Sequence, residues 1–200
     1  MQLPTIDEIE ELHKKNASTD EMFAWVYTHC QAVWSVAQQL IEQNDLKVDP
    51  ELVKVGCLVH DIGVYTLFND VDNLRPGEKY LTHGIRGEEL LRTAGFDEAI
   101  QRFASHHTGV GITKEAIEKH HLPLPAENYT AETPEERLVM YADKFHSKDN
   151  PLCFNSYDWY RAKVAQFGED YAGKFDQLAE EFGKPDLIPL AKKYGHRIRS

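Results

Sequence analysis

The sequence has few cysteines, which limits how the chain can be stabilised. Its 200 residues contain three, Cys30, Cys57 and Cys153, and these are far apart within apolar segments. An odd number of widely separated thiols does not suit a disulfide framework. Free, buried thiols in a reducing cytoplasm are the simplest interpretation.

Long hydrophobic runs are also lacking. Every apolar stretch is far shorter than the roughly 20 residues that a membrane span requires. The first residues, from Met1 to Glu8, have neither a basic start nor the apolar core of a signal peptide. We therefore expect a cytoplasmic protein that has no membrane partner.

Positive charge is scarce. The chain has 22 lysines and arginines against 33 aspartates and glutamates, which gives a formal net charge of -11 at pH 7. Binding to a nucleic-acid backbone requires clustered lysine and arginine. We therefore expect no nucleic-acid partner. An anionic small molecule would have to be held by a metal and by a few local cations.

The pattern that the chain does contain is helical periodicity along almost its whole length. A capping box at Thr5 begins the first helix, and Asp49 followed by proline begins a third helix that ends near Gly63. A second capping box at Thr133 begins the helix that reaches Asp143. No convincing run alternates with the period of two that a half-buried strand shows. The sequence therefore predicts an all-α fold.

We divide the chain into two parts. Residues 1–150 are predicted to form the main helical domain, and residues 151–200 a helical extension packed on the same domain. From Ser156 onward, aromatic residues recur at helical spacing and predict one long helix. A basic terminal helix follows it.

Histidines and aspartates recur on inward helix faces and at helix ends. Imidazole and carboxylate are the ligands that borderline divalent metals prefer, and an ionised carboxylate is costly to bury without a compensating cation. A lone histidine on an apolar face is more often a satisfied core residue, and a salt bridge would explain either aspartate alone. All the segments together favour a metal site. The candidate ligands are His29, His60, Asp61, His83, His107 and Asp143.

The string His60-Asp61-Ile62-Gly63, preceded by an apolar run, resembles the signature of the HD superfamily of metal-dependent phosphohydrolases. His29 and Asp143 match the remaining positions of that pattern in order. His83 and His107 match the six-ligand branch, which includes the HD-type bacterial diadenosine tetraphosphate hydrolases. The resemblance covers roughly residues 23–147 and implies an HD-domain helical bundle, with the C-terminal helical extension outside it.

The resemblance implies two divalent metal ions. Four imidazoles and two carboxylates leave open coordination positions, which suit iron or manganese, with cobalt or nickel as further choices, better than a closed zinc site. By the same resemblance, Asp61 bridges the two ions and is assigned the catalytic role. Such a centre lowers the pKa of a bound water and provides the nucleophile.

Several side chains are candidates for binding the substrate. Arg86 lies three residues after a candidate ligand, hence on the same helix face, and its guanidinium suits a phosphate. An exposed arginine paired with a neighbouring glutamate is the alternative. Lys144 and His106 are further candidates, and His106 is also the alternative to its neighbour as a ligand. Arg75 and Lys79 are candidate cations at the rim of a long loop.

Three functions from different classes fit these residues. The first is a phosphohydrolase that cleaves a phosphoester or pyrophosphate bond in a nucleotide-like small molecule. The second is an HD-type mixed-valent di-iron oxygenase acting on a phosphonate or a polyol. Such enzymes tend to carry a tyrosine and a glutamate upstream of the first histidine, where this chain has Met22 and Trp25. The third is a catalytically silent metal-binding module. A homo-oligomer is compatible with all three.

Overall fold

A computed structural model describes residues 2–68 and 78–200, with the side chains of residues 78 and 79 also left undescribed. Helices dominate these ranges, and the all-α prediction is confirmed. Short 3-10 helices cover Ile62–Thr66 and Glu78–Thr82. The α-helices are α1 (Ile6–Asn16), α2 (Asp20–Asn44), α3 (Pro50–Val59), α4 (His83–Thr93), α5 (Glu98–Ser105), α6 (Lys114–His120), α7 (Pro134–Asp143), α8 (Tyr157–Ala165), α9 (Glu169–Phe182) and α10 (Leu187–Tyr194).

The helix starts follow the capping signals in the sequence. Thr5 and Thr133 each form a complete capping box, and the Asp49 side chain accepts hydrogen bonds from the first turn of α3. The third helix ends at Val59, before the predicted Gly63, because Asp61 adopts φ −104° and ψ 12° and leaves the helical path. The chain then continues as a 3-10 helix through the glycine.

The core lies around α2, which packs against α3 and α7. Twelve residues of α2 are buried, spaced so that the helix presents an apolar face to both neighbours. Cys30, Cys57 and Cys153 are free and buried, as expected. None of the helices in the described ranges is long and apolar enough to cross a membrane.

The prediction of one long helix from Ser156 onward is wrong, because the structure has two helices there. Gly168, at φ +136°, separates α8 from α9, because this left-handed conformation is accessible to glycine and not to an ordinary helical residue. Three short strands also form a small sheet in the order β1, β2, β3. They cover His146–Ser147, Cys153–Asn155 and Arg197–Arg199, and β2 pairs antiparallel with β1 and parallel with β3.

The extension shares the core of the main domain. On α9, the Phe175 ring packs against Tyr141 and Phe145, with ring centroids 5.4 and 6.1 Å apart. The Tyr141 hydroxyl donates a hydrogen bond of 2.8 Å to the backbone oxygen of Gly183. Since Tyr141 belongs to α7, the extension fixes the helix that ends at Asp143.

His13 is buried, although its polar helix suggests a solvated side chain. Its Nε2 lies 2.7 Å from the Leu58 carbonyl oxygen and its Nδ1 lies 2.9 Å from the Tyr65 hydroxyl. Because a carbonyl only accepts, Nε2 carries the hydrogen and Nδ1 accepts from the tyrosine. Burial lowers the pKa of His13 to about 4, so the ring is neutral in this role. The pair of bonds ties α1 to the end of α3 and to the 3-10 helix that follows it.

Gly63 allows α4 to approach the 3-10 helix that follows Asp61. A Cβ atom at this position would overlap the backbone oxygen of His83 and the backbone nitrogen of Gly87. These are main-chain atoms and cannot move aside as a flexible side chain can. The position of His83 therefore depends on the absence of a side chain at Gly63.

We predict that Gly63→Ala destabilises the protein by about 1–3 kcal/mol or more, because the added methyl group pushes α4 away. Gly173→Ala is the matched control, since a Cβ atom there meets nothing within 4 Å and alanine favours the helix. Urea unfolding followed by circular dichroism measures both. Equal midpoints for Gly63→Ala and the wild type would contradict the close approach.

Candidate metal centre

Six buried or largely buried side chains converge in the interior, and they form two groups that share Asp61. Within each group the potential ligand atoms lie within 4.8 Å of one another. The first group is His29, His60, Asp61 and Asp143, and the second is Asp61, His83 and His107.

Helix ends bring these side chains together. His60 is the C-terminal cap of α3, and the change of backbone direction at Asp61 lets two adjacent side chains face one centre. His83 is the first residue of α4, and Asp143 is the last of α7. Of the six residues, only His29 lies in the interior of a helix, on the buried face of α2.

The two oxygens of Asp61 face different groups. Oδ2 lies 3.0 Å from His29 Nε2 and 3.3 Å from His60 Nε2. Oδ1 lies 3.4 Å from His83 Nε2 and 3.6 Å from His107 Nε2. This carboxylate is therefore the geometric link between the two halves of the centre.

Three of the four histidines are oriented by backbone carbonyls. A carbonyl oxygen only accepts, so in each ring Nδ1 carries the hydrogen, and the ring in its neutral form presents the Nε2 lone pair to the centre. The contacts are His60 Nδ1 to Cys57 O at 2.8 Å, His83 Nδ1 to Tyr80 O at 2.5 Å and His107 Nδ1 to Phe103 O at 3.0 Å.

These orientations fit a divalent cation. The Nε2 atoms of His83 and His107 lie 3.0 Å apart with their lone pairs directed inward, which is repulsive unless a cation or a shared proton lies between them. Asp61 Oδ1 is buried and has no hydrogen-bond partner among the described residues, a costly arrangement for an ionised carboxylate. A metal ion satisfies both requirements with the donor atoms already present.

The electrostatics keep His83, His107 and Asp61 in their metal-binding forms. His60 differs, because Asp61 raises the pKa of its ring well above the usual value against the effect of burial, so a metal would displace a proton there. Burial lowers the pKa of His83 to about 3 and also lowers the pKa of His107, so both rings are neutral near pH 7. Burial opposes ionisation of Asp61, but Lys148 and His60 hold its pKa well below the usual value. Ionised carboxylates and neutral imidazoles are the states that bind divalent metals.

The centre opens into a cavity of about 860 Å³. Trp25 forms part of its wall, and its indole Nε1 is buried without a hydrogen-bond partner among the described residues. The remaining wall includes cations and aromatic rings as well as the carboxylate of Asp149. It includes Tyr80, Lys144, Lys148, Tyr160, Lys163, Phe167 and Arg197.

Lys148 is a site residue that sequence reasoning missed. Its Nζ donates to Asp61 Oδ2 and lies 5.9 Å from the centre of the Tyr80 ring. The available signal is the spacing of two from His146, which places both side chains on one side of an extended segment. A strand of two residues is too short for this period to be recognised in the sequence.

His146 and His196 are further neighbours of the centre, and the sequence indicates only His146, which follows Asp143 by three residues. His29 Nδ1 lies 2.9 Å from His146 Nδ1, and His146 Nε2 lies 3.0 Å from His196 Nδ1. The sequence alone places His196 in a polar terminal helix, but α10 ends at Tyr194 and His196 directly precedes β3. The end of the chain therefore supports the ring of His29.

The predicted substrate-binding residues lie in three different environments. Lys144 is buried in the cavity wall, where Nζ donates to Asp143 Oδ2 at 2.7 Å and to the His107 backbone oxygen at 2.8 Å. His106 turns away from the centre, with Nδ1 2.7 Å from the Ser105 hydroxyl, so its neighbour is the one that joins the second group.

Arg86 is exposed on α4. Its Nε donates a hydrogen bond of 3.1 Å to Thr82 Oγ1, and it does not belong to the described lining of the cavity. Two further predictions lie outside the described residues, since Arg75 is not described and Lys79 lacks a described side chain. Binding of a substrate by these three residues stays a prediction.

Comparison with known proteins places this centre in a family. The family model described as HD domain matches residues 26–148. An uncharacterized protein of Methanocaldococcus jannaschii is 42% identical over 122 residues, covering 59% of this chain and 64% of the relative. Two proteins named tRNA (cytidine(56)-2'-O)-methyltransferase also match. The Picrophilus torridus protein is 35% identical over 68% of this chain and 34% of its own length.

The second of these, from Thermoplasma volcanium, is 31% identical over 177 residues, covering 88% of this chain and 44% of the relative. An alignment of that length cannot fit within residues 1–150, so it includes part of the C-terminal extension. The chain spans between about one third and two thirds of the length of these three relatives.

Among solved structures, the HD domain of the L. monocytogenes phosphodiesterase PgpH shares the fold. Its complex with cyclic-di-AMP superposes with a TM-score of 0.54 at 17% identity, covering 97% of this chain and 94% of that domain. A second structure of the same domain gives a TM-score of 0.53 at 16% identity, covering 93% of this chain and 92% of that domain. The family match spans more than half of the chain and includes all six converging side chains, so this protein belongs to the HD domain family.

Proposed function

We propose that this protein is a metal-dependent phosphohydrolase that cleaves a phosphoester or pyrophosphate bond of a nucleotide-like small molecule. The observation that carries the proposal is the position of Asp61, whose two oxygens face two separate groups of inward-directed nitrogens. A carboxylate placed in this way suits a bridge between two metal ions. His29, His60 and Asp143 would hold one ion, and His83 and His107 the other.

Iron or manganese suits this donor set best, with cobalt or nickel as further choices. When bound, the two ions supply a hydroxide at neutral pH and stabilise charge on phosphoryl oxygens. The backbone carbonyls behind the rings hold each Nε2 toward the centre, so the ligands need little reorganisation.

Local cations compensate for the overall acidity of the chain. Lys148 and Lys144 both reach the cavity and contact the carboxylates of Asp61 and Asp143. An ammonium group next to the scissile phosphate would neutralise charge that develops during hydrolysis. We assign this role first to Lys148, because it lies against the proposed bridging carboxylate.

The relatives support parts of this proposal. The HD domain with the same fold belongs to a phosphodiesterase and was solved with cyclic-di-AMP, a molecule with phosphodiester bonds. We assign the tRNA methylation in the names of the two archaeal relatives to the parts of those proteins that this chain does not cover. For this chain we propose a cytoplasmic enzyme with a small phosphorylated substrate and no nucleic-acid or membrane partner.

The oxygenase is the second candidate, since two irons with the same ligands could also activate oxygen. Trp25 lies one helical turn before His29 and forms part of the cavity wall, where α2 offers an indole and no carboxylate. The indole at this position, in place of the glutamate typical of the oxygenases, favours hydrolysis over oxygenation. A silent module is disfavoured because all six ligand positions are occupied by competent donors.

Removal of the bridging carboxylate tests the centre. We predict that the wild type purified without oxygen carries two metal ions per chain and that Asp61→Ala loses both, because each group shares this residue. Metal content is measured by plasma mass spectrometry. Asp158→Ala, at an exposed position on α8, is the matched control and should keep both ions. An Asp61→Ala protein that retains two ions would show that the carboxylate does not bridge them.

Oxygen dependence separates the two chemistries. We predict that the metal-loaded protein releases phosphate, or a phosphorylated fragment, from nucleotides or dinucleoside polyphosphates at the same rate in anaerobic and aerated buffer. Water is the nucleophile in this reaction, so oxygen is not consumed. Product formation that requires oxygen, with no anaerobic cleavage of any phosphate ester, would favour the oxygenase instead.

A variant of Lys148 tests whether this ammonium group neutralises negative charge on the phosphate of the substrate. We predict that Lys148→Ala keeps both metal ions, because the change removes a cation from Asp61, but loses roughly ten- to a hundred-fold in turnover through one missing contact to a charged group. Metal content and initial rates are measured together. Arg86→Ala, measured in parallel, shows whether this exposed cation contributes as the sequence predicts. Unchanged turnover in Lys148→Ala would remove its assigned role.

A further inference from the structure

One wall of the cavity is built by the final fifty residues. Tyr160, Lys163 and Phe167 reach it from α8 and the turn after α8, and Arg197 reaches it from β3. The match to the HD domain family ends at residue 148, before all four. This wall of the cavity that contains the metal centre therefore lies outside the matched family range.

Phe167 is unusual because a large apolar ring is left open to solvent. Its relative exposure is 73%, in a turn between α8 and α9 rather than in the core. Ile188 is equally exposed at 73% but does not belong to the described cavity lining. An exposed aromatic ring at the side of a polar cavity offers a flat surface on which a planar group can stack.

Two cations on this wall form no direct ion pair with a carboxylate of the described residues. Arg199 and Arg161, which lie nearby in the extension, pair with Asp149 at 2.6 Å and Asp176 at 2.9 Å. Lys163 and Arg197 form no such ion pair within the described part of the chain, and both line the cavity. Asp149 also lines the cavity, but its direct ion-pair partner is Arg199. Two cations without a direct ion pair on one wall attract an anion, in a chain with a formal net charge of -11.

The ammonium group of Lys163 and the guanidinium group of Arg199 lie next to the same aromatic ring. Lys163 Nζ lies 5.2 Å from the centre of the Trp159 ring, and the Arg199 guanidinium lies 3.7 Å from the same ring. Because the positive charges of Lys163 and Arg199 repel each other, an anion next to Lys163 is favoured over a further cation. An anionic ligand in the cavity would meet this requirement.

We propose that this wall is a nucleotide-binding subsite, in which Phe167 stacks on the base and Lys163 and Arg197 bind the phosphate of the same nucleotide. The inference rests on the proposed phosphohydrolase function and assigns the recognition of its substrate to the extension. Stacking accepts any base, so the subsite distinguishes nucleotides from base-free phosphates rather than one base from another.

The test compares two ligands that differ only by the base. The affinities of AMP and ribose 5-phosphate are measured by isothermal titration calorimetry on the full chain supplied with Mn²⁺. We expect AMP to bind about 5- to 100-fold more tightly, and Phe167→Ala to remove most of that difference without changing the affinity for ribose 5-phosphate. Lys163→Ala and Arg197→Ala should weaken both ligands by roughly ten-fold or more.

Two matched variants control for nonspecific effects. Ile188→Ala removes an equally exposed apolar side chain, and Lys174→Ala removes an exposed lysine of α9, and neither residue lines the described cavity. Both should bind the two ligands like the wild type. Equal affinities of the wild type for AMP and ribose 5-phosphate, or an unchanged ratio in Phe167→Ala, would overturn the subsite. Metal-dependent phosphate release in the same preparation would then leave the phosphohydrolase intact, whereas its absence would overturn both.

Discussion

The rest of the structure depends on the burial of one ionised carboxylate. Asp61 is fully buried, and its Oδ2 is compensated by His29, His60 and Lys148 while its Oδ1 has no hydrogen bond within the described residues. Burying such a group costs several kcal/mol or more unless cations or hydrogen bonds compensate it, on the order of the net stability of a whole domain. This arrangement therefore does not serve the stability of the fold. The inward-facing donor atoms indicate that it serves to bind a cation.

Placing the ligands at helix ends solves a second problem. Carbonyls near the end of a helix lack their own helical partners, so they are free to accept from a histidine ring. The Cys57 carbonyl near the end of α3 and the Phe103 carbonyl near the end of α5 do this for His60 and His107. The same bonds satisfy the backbone and fix the tautomer. Gly63 then allows α4 to approach closely enough for His83 to complete the second group.

Features encoded within a few residues could be predicted from the sequence, and those that depend on distant partners could not. The caps at Thr5, Asp49 and Thr133 are local, and each begins the expected helix. The convergence of the candidate ligands followed from the family resemblance. In contrast, the contact between His146 and His196 joins positions fifty residues apart through a short sheet, and no local sequence pattern predicts it.

Part of what sequence reasoning missed lies in the extension, which shares the core of the main domain. It packs Phe175 against α7, which carries Asp143, and it supports His29 through His146 and His196. The cavity wall beyond the metal centre comes from the same segment. The T. volcanium relative aligns over a length that must include part of it. Because the extension contacts the supports of the ligands and also lines the cavity, the metal centre and the cavity beside it depend on the same segment.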